Sequence, residues 1–359
     1  MLRNTPFSVV KTNFVRGLTG ALLAVSMLQA QIVTPTLKEV MRRTSYVYDP
    51  TWMQAEDNHR LLITDAVNPS YALYRYDLSK DRILHSRRVG NGPGELAPMG
   101  MKWVSRLRNG DLWVYDAGAF KAYRFAPDLS NPVIQRLPSG ATRSLSIHLL
   151  SDTLLVVVPM NQTEVVRYYT TQAPGKPTLS PLNAIRVSDY PEFKSLSNFL
   201  LKNGHAVSSS NQLFFTYLYA PYLLKLDEKG VTWMSGHELG RGFPPQKRSG
   251  NEVRMPDAGE HPQQTLSVTA NKRYVFVLHN GETIGFWRTL TASITRDYAE
   301  IDQVVNASDR IRIYDAGTGR FLQEWKLPLR ARLISVYDRY LYVYAQIEGI
   351  PTIITYQWS

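Results

Sequence analysis

Asp111-Leu-Trp-Val-Tyr-Asp116, then Lys121-Ala-Tyr-Arg-Phe125, then Val133-Ile-Gln-Arg-Leu137 is the stretch on which the fold turns. Each run is short, apolar or aromatic at alternate positions, and bounded by Asp, Asn, Gly or Pro. That pattern reads as antiparallel strands joined by tight turns. Met101–Leu107, just before it, supplies a further strand, so the unit has four strands, A to D.

Working outward, the same unit recurs. It stands at Arg60–Asp65, Tyr71–Asp77 and Arg82–His85, and again at Thr153–Val158 with Glu164–Tyr169. It returns at Gln212–Tyr217 with Tyr222–Asp227, at Tyr274–His279 with Arg310–Asp315, and at Tyr340–Tyr344 with Thr352–Trp358. The centres of the first runs (Leu62, Trp113, Leu155, Phe214, Phe276, Tyr342) lie 51, 42, 59, 62 and 66 residues apart. Such a period means blades of a propeller, with loops inserted late in the chain. The expected fold class is therefore all-β, a six-bladed β-propeller of four-stranded antiparallel blades. The sixth unit ends at Ser359 without a D strand, while Pro35–Tyr48 can form an extra one. The N-terminal strand is expected to complete the last blade and close the ring, which removes two exposed sheet edges. Two stacked β-sandwiches fit less well, because no linker interrupts the repeat.

Composition bounds the rest. With 359 residues, 44% hydrophobic and 11% aromatic, the chain can bury a large core and is neither disordered nor collagen-like. It has no cysteine, which excludes disulfides, thiolate metal sites, a cysteine nucleophile and a lipid anchor on cysteine. The formal net charge is +11, or +8 without Arg3, Lys11 and Arg16. The basic residues are scattered in pairs such as Arg42 and Arg43, Arg87 and Arg88, or Lys247 and Arg248, rather than gathered in a stripe, so no nucleic-acid partner is expected. Residues 1–30 combine those three basic residues with the apolar run Leu18–Leu28 and a small residue, Ala30. They read as a secretory signal, leaving 31–359 as a single propeller domain. The mature chain is expected to be periplasmic or secreted, not a lipoprotein, to have no transmembrane segment and to be a monomer.

Val89-Gly-Asn-Gly-Pro-Gly-Glu-Leu96 lies between the first two units. Three glycines and a proline make a tight turn from an outer strand to the next inner one. With Asn109-Gly-Asp-Leu-Trp-Val-Tyr-Asp116 after it, this stretch resembles the bacterial six-bladed propellers of the TolB-like and NHL-like exported families. Members often carry Gly-x-Gly-Pro-Gly-Glu at this junction; Gly90–Glu95 matches it in full, and Leu239-Gly-Arg-Gly-Phe-Pro244 is a weaker echo. The resemblance implies an extracytoplasmic binding or scaffold role and no defined catalytic residues.

Chemistry-bearing patterns are few. Asp65, Asp116 and Asp315 end strands before turns, where a carboxylate caps backbone N–H groups; Glu95 is expected to do the same. The seven histidines show no zinc-site spacing, and neither a Gly-x-Ser-x-Gly elbow nor a phosphate loop is present. No metal or cofactor is expected. Trp113, Tyr115, Phe214, Phe276, Tyr342 and Tyr344 read as packing between blades. Tyr217, Tyr219 and Tyr222 read as connection residues able to stack on a ligand.

The two longest insertions, Gly240–Gln264 and Asn280–Ser308, join D to A and B to C, two kinds of connection that share one face of a propeller. Long loops in a compact fold are usually functional or disordered. Arg241, Arg254, His261, His279, Trp287 and Arg288 are the candidate ligand-binding residues. The expected function is non-enzymatic binding of a glycan, a peptide or an envelope protein through this loop-rich face. The alternative is a propeller hydrolase, lyase or lactonase with its site at the central pore mouth.

Overall fold

The computed structural model describes residues 32–33, 35–141, 144–173, 176–209, 211–236, 243, 248–249, 252–253, 263–280, 282, 291, 294–295 and 299–359. The chain opens with β1 (Ile32–Val33) and β2 (Leu37–Arg43). Blade one follows as β3 (Pro50–Ala55), β4 (Arg60–Asp65), β5 (Tyr71–Asp77) and β6 (Arg82–Arg88). Blade two is β7 (Lys102–Arg106), β8 (Leu112–Asp116), β9 (Lys121–Phe125) and β10 (Val133–Gln135). Blade three is β11 (Ser144–Ser151), β12 (Leu154–Pro159), β13 (Glu164–Ala173) and β14 (Lys176–Arg186). Blade four is β15 (Gly204–Ser209), β16 (Gln212–Tyr217), β17 (Ala220–Asp227) and β18 (Gly230–Ser235). A small hairpin, β19 (Arg248–Ser249) and β20 (Glu252–Val253), precedes blade five. That blade is β21 (Thr265–Ala270), β22 (Tyr274–His279), β23 (Ser308–Asp315) and β24 (Phe321–Ala331), with α1 (Ala299–Asn306) between its second and third strands. Blade six is β25 (Leu333–Tyr337), β26 (Tyr340–Ile347) and β27 (Ile350–Trp358), completed by β2.

The protein is a six-bladed, four-stranded antiparallel propeller, as the repeat predicts. Its closure is also as expected. Leu37 pairs with Trp358 and Arg43 with Ile353 across an antiparallel ladder, and the innermost strands β25 and β3 adjoin. One pairing is additional: β1 lies parallel to β24, so the N-terminal segment edges blade five before it completes blade six.

Period-two alternation sorts each strand's side chains between two neighbouring blades. In β4, Leu61 and Ile63 pack with Leu333, Tyr342 and Tyr344 of blade six, while Leu62 packs with Val114 and Tyr123 of blade two. In β22, Val275 and Val277 meet Phe214 and Leu223 of blade four, while Phe276 and Leu278 meet Ile334 and Val343 of blade six. Middle strands covered on both faces must be apolar throughout, and β12 (LLVVVP) is buried along its whole length. Hydroxyls on inner strands stitch adjacent blades: Ala55 N–H donates to Ser335 Oγ (2.8 Å), Leu149 N–H to Ser105 Oγ (3.1 Å) and Val336 N–H to Thr269 Oγ1 (3.2 Å).

The strand-ending aspartates cap turns. Asp65, buried, accepts hydrogen bonds from the N–H groups of Tyr48, Asp49, Val67 and Asn68 at 3.0–3.2 Å, and from the Tyr74 hydroxyl at 3.3 Å. It thereby ties the closing strand's exit to blade one. Asp65→Ala would strand several buried donors and is expected to lower unfolding free energy by about 3–5 kcal/mol. Urea unfolding of the variant measures this; a loss under about 1 kcal/mol would show that the cap carries little.

Asp116 holds the next junction, accepting from Ala97 N–H (2.6 Å) and Gly118 N–H (3.0 Å) with Lys102 Nζ at 3.8 Å. Lys102 in turn donates to the carbonyls of Ala97, Met99 and Gly100. Burial pushes the Asp116 carboxyl up and the Lys102 ammonium down. Within Gly90–Glu95, Gly92 N–H donates to Glu95 Oε2 (2.8 Å), the turn-capping role expected of Glu95. Gly94 takes the left-handed conformation (φ +74°), whereas Gly90 is needed for space, since a Cβ there would sit 2.0 Å from Glu95 Oε2.

Candidate functional site

Each blade reverses direction at every turn, so D-to-A and B-to-C connections share one face and A-to-B and C-to-D connections share the other. Both long insertions, after β18 and after β22, leave on the first face. Their roots touch: Asn280 N–H donates to Gln264 O (3.0 Å), and Gln264 N–H donates to Leu218 O. Asn280 Nδ2 also donates to Val304 O (2.8 Å) and Val305 O (3.0 Å), in the last turn of α1. Arg330 holds the same insertion through Glu282 (3.1 Å) and Ala307 O (2.7 Å). Arg332 bridges Asp302 to Asp49.

Of the six candidate binding residues, Arg241, Arg254, His261, Trp287 and Arg288 lie outside the described residues. His279 is described. It ends β22, is buried, and stands between Thr265 of β21 and Arg310 of β23 in the ladder, with its carbonyl accepting from Ser308 Oγ. Tyr217 and Tyr222 are not connection residues: they belong to β16 and β17 and are buried. Their rings pack on Phe243 at centroid distances of 4.9 and 5.4 Å, so they seat the first insertion rather than face a ligand. Period two placed them correctly in alternation but gave no sign that Phe243 packs on them.

Sequence reasoning passed over a pocket on this face. About 780 Å³ opens between the B-to-C turn of blade three (Gln162, Thr163, Glu164) and the D-to-A connection (Arg186, Tyr190, Lys194). That connection is built of 3₁₀ turns at Val187–Asp189, Pro191–Ser197 and Phe199–Lys202. Although burial pushes the Glu164 carboxyl up, hydrogen bonds from Arg167 and Asn161 bring it below the usual range. Beneath it, buried Lys202 donates to the carbonyls of Asn161 and Glu164, and burial pushes its ammonium down to about 8. Tyr190 in the wall packs at a tilt on Phe193 (ring centroids 5.0 Å), which meets Tyr217, linking this pocket to Phe243 through aromatic contacts. The 59-residue gap between Leu155 and Phe214 was the available signal.

A second pocket, of about 290 Å³, lies at the opposite end of the molecule, where A strands turn into B strands. It is lined by Gln54 of blade one and Ser208 of blade four, with Arg106, Arg108 and Asp152 between them in the circuit. Blades one and four are diametrically opposed in a six-membered ring, so this pocket straddles the axis. Its charged trio has two cations to one carboxylate. Among the described residues, no group of three or more His, Asp or Glu is placed to hold a metal ion, and no helix is long and apolar enough to cross a membrane.

No family model matches the chain, and no curated protein matches its sequence. Solved structures do. A member of the DUF4221 family from Bacteroides vulgatus is 10% identical with a TM-score of 0.52, over 90% of this chain and 97% of that one. A Bacteroides fragilis protein assigned as exported is 12% identical with a TM-score of 0.51, over 92% and 96% of the two chains. A streptogramin B lyase, 12% identical over 90% of this chain and 97% of that chain, has a TM-score of 0.48. The first two likenesses show the propeller fold.

Proposed function

We propose that this protein is an exported, non-enzymatic binding propeller of the TolB-like and NHL-like kind, acting through the face that carries its D-to-A and B-to-C connections. The observation that carries this reading is the convergence on one face of both long insertions, joined at Gln264 and Asn280, with the 780 Å³ pocket walled by Gln162, Glu164, Tyr190 and Lys194. Mixed polar, charged and aromatic linings suit a glycan, a peptide or an envelope protein better than a polyanion. Export rests on the leader-like residues 1–30 and the Gly90–Glu95 junction. Arg241, Arg254 and Arg288 bring forked donors and Trp287 an aromatic ring suited to stacking, all within the sequence of the two insertions.

The test is a screen of the full chain against envelope glycans and extended peptides, repeated with Arg241, Arg254, Trp287 and Arg288 all changed to Ala. Binding to any hit should fall at least about 100-fold, as expected when several central contacts are truncated, with unfolding free energy changed by less than about 1 kcal/mol. Unchanged affinity in that variant would refute the assignment of this face.

A further inference from the structure

The axial pocket on the opposite face has a composition that the binding face does not explain. The Glu56 side chain, 5% exposed, is shared by two guanidiniums: Arg75 grips both carboxylate oxygens, and Arg106 reaches Oε1. One carboxylate cannot neutralise two arginines, so a unit of positive charge remains, centred on Arg106. Half-exposed Arg106 and exposed Arg108 both line the pocket, and Asp152 is its single lining carboxylate. The mouth therefore keeps a net positive charge of about one. Its floor is apolar, since Leu107, Leu149 and Leu150 are buried, and low-dielectric walls strengthen the field of the arginines. Gln54, Ser151, Ser208 and Asn211 ring the same space with amide and hydroxyl groups able to donate and to accept.

We infer that this axial mouth is a second binding site, independent of the loop-rich face, that takes a small anionic polyol: a sugar acid or a sugar phosphate. Guanidinium forks match the planar or tetrahedral oxyanion, and the ring of amides and hydroxyls matches sugar hydroxyls. A volume of about 290 Å³ admits one monosaccharide-sized molecule and no buried polymer. The four contributing blades come together only because the ring is closed, so the site exists in the complete propeller alone.

Isothermal titration of the full chain with glucuronate, glucose 6-phosphate and neutral glucose tests this. At least one anion should bind, at least about 10-fold tighter than glucose, as one charge-assisted pair implies. Arg108→Ala should weaken that anion at least about 10-fold and leave glucose unchanged. Arg108 is exposed, so the variant should melt with the parent; Arg108→Glu should weaken binding further by reversing the local charge. Preference for glucuronate assigns a carboxylate ligand, and preference for the phosphate assigns a phosphorylated one. Equal binding of glucose and the anions, no binding of either anion at 10 mM (on the order of 3 kcal/mol of affinity), or an Arg108→Ala variant that binds as the parent does would overturn the inference. The quadruple variant of the opposite face should bind these anions normally, so failure at one face is distinguishable from failure at the other.

Discussion

Deleting residues 31–48 is expected to abolish the cooperative unfolding transition rather than shift it. The segment carries β2, whose ladder to β27 runs from Leu37–Trp358 to Arg43–Ile353, and its loss would leave blade six with three strands and an open edge. It also removes Val47 from the core and the carbonyls of Tyr46 and Tyr48, which accept from the hydroxyls of Tyr74 (2.9 Å) and Tyr344 (3.0 Å). Each of those hydroxyls would lose its main-chain acceptor, and Asp65 would lose the N–H of Tyr48. At about 1 kcal/mol per lost ladder bond and 1–3 for each stranded polar group, the total is comparable with the whole stability of an ordinary domain. Calorimetry of the truncated chain should show no transition near the parent's. A truncated protein melting within a few degrees of the parent would mean that the N-terminal strand does not close the ring.

Acidification should destabilise the protein well above the pH at which its carboxylates titrate. His148, on the inner strand of blade three, is buried against Trp103 (ring centroids 5.1 Å) with Nε2 3.0 Å from Ser146 Oγ, and burial pushes its pKa down to about 3. His205, on the inner strand of blade four, is pushed down to about 4 by the same desolvation. Both are neutral in the folded state, while in the unfolded chain each binds a proton below its ordinary value of about 6.5. Their contribution is therefore complete above pH 6.5 and falls as the pH drops through that value toward 4. Each histidine adds a slope of at most about 1.4 kcal/mol per pH unit, for a combined loss on the order of 5 kcal/mol by pH 4. Urea unfolding at pH 7, 6, 5 and 4 should show this loss. In a His148→Gln, His205→Gln variant the slope should flatten between pH 6.5 and 4.5; an unchanged slope would assign the acid sensitivity to other groups.

The fold was legible because its determinants are local and repeated. Alternation in Arg60–Asp65, Leu112–Asp116 and Tyr274–His279 specifies both faces of each middle strand, and Asp65, Asp116 and Glu95 cap the turns their spacing suggests. Even closure by the N-terminal strand follows from a missing D strand and a spare one. The short parallel pairing of β1 with β24 was not legible, since two residues carry no periodicity.

The sites divide differently. The sequence by itself determined which connections are long and which face of the propeller they share, because strand order and chain reversal settle both. It could not determine what covers Tyr217 and Tyr222, because alternation assigns a side chain to one side of a blade and not to its neighbour there. Nor could it assemble Gln54, Arg106, Arg108, Asp152 and Ser208 at the axis. Those residues belong to four blades and to short turns that look alike in sequence. Only closure of the ring, which brings the ends of all the inner strands around one axis, makes them neighbours.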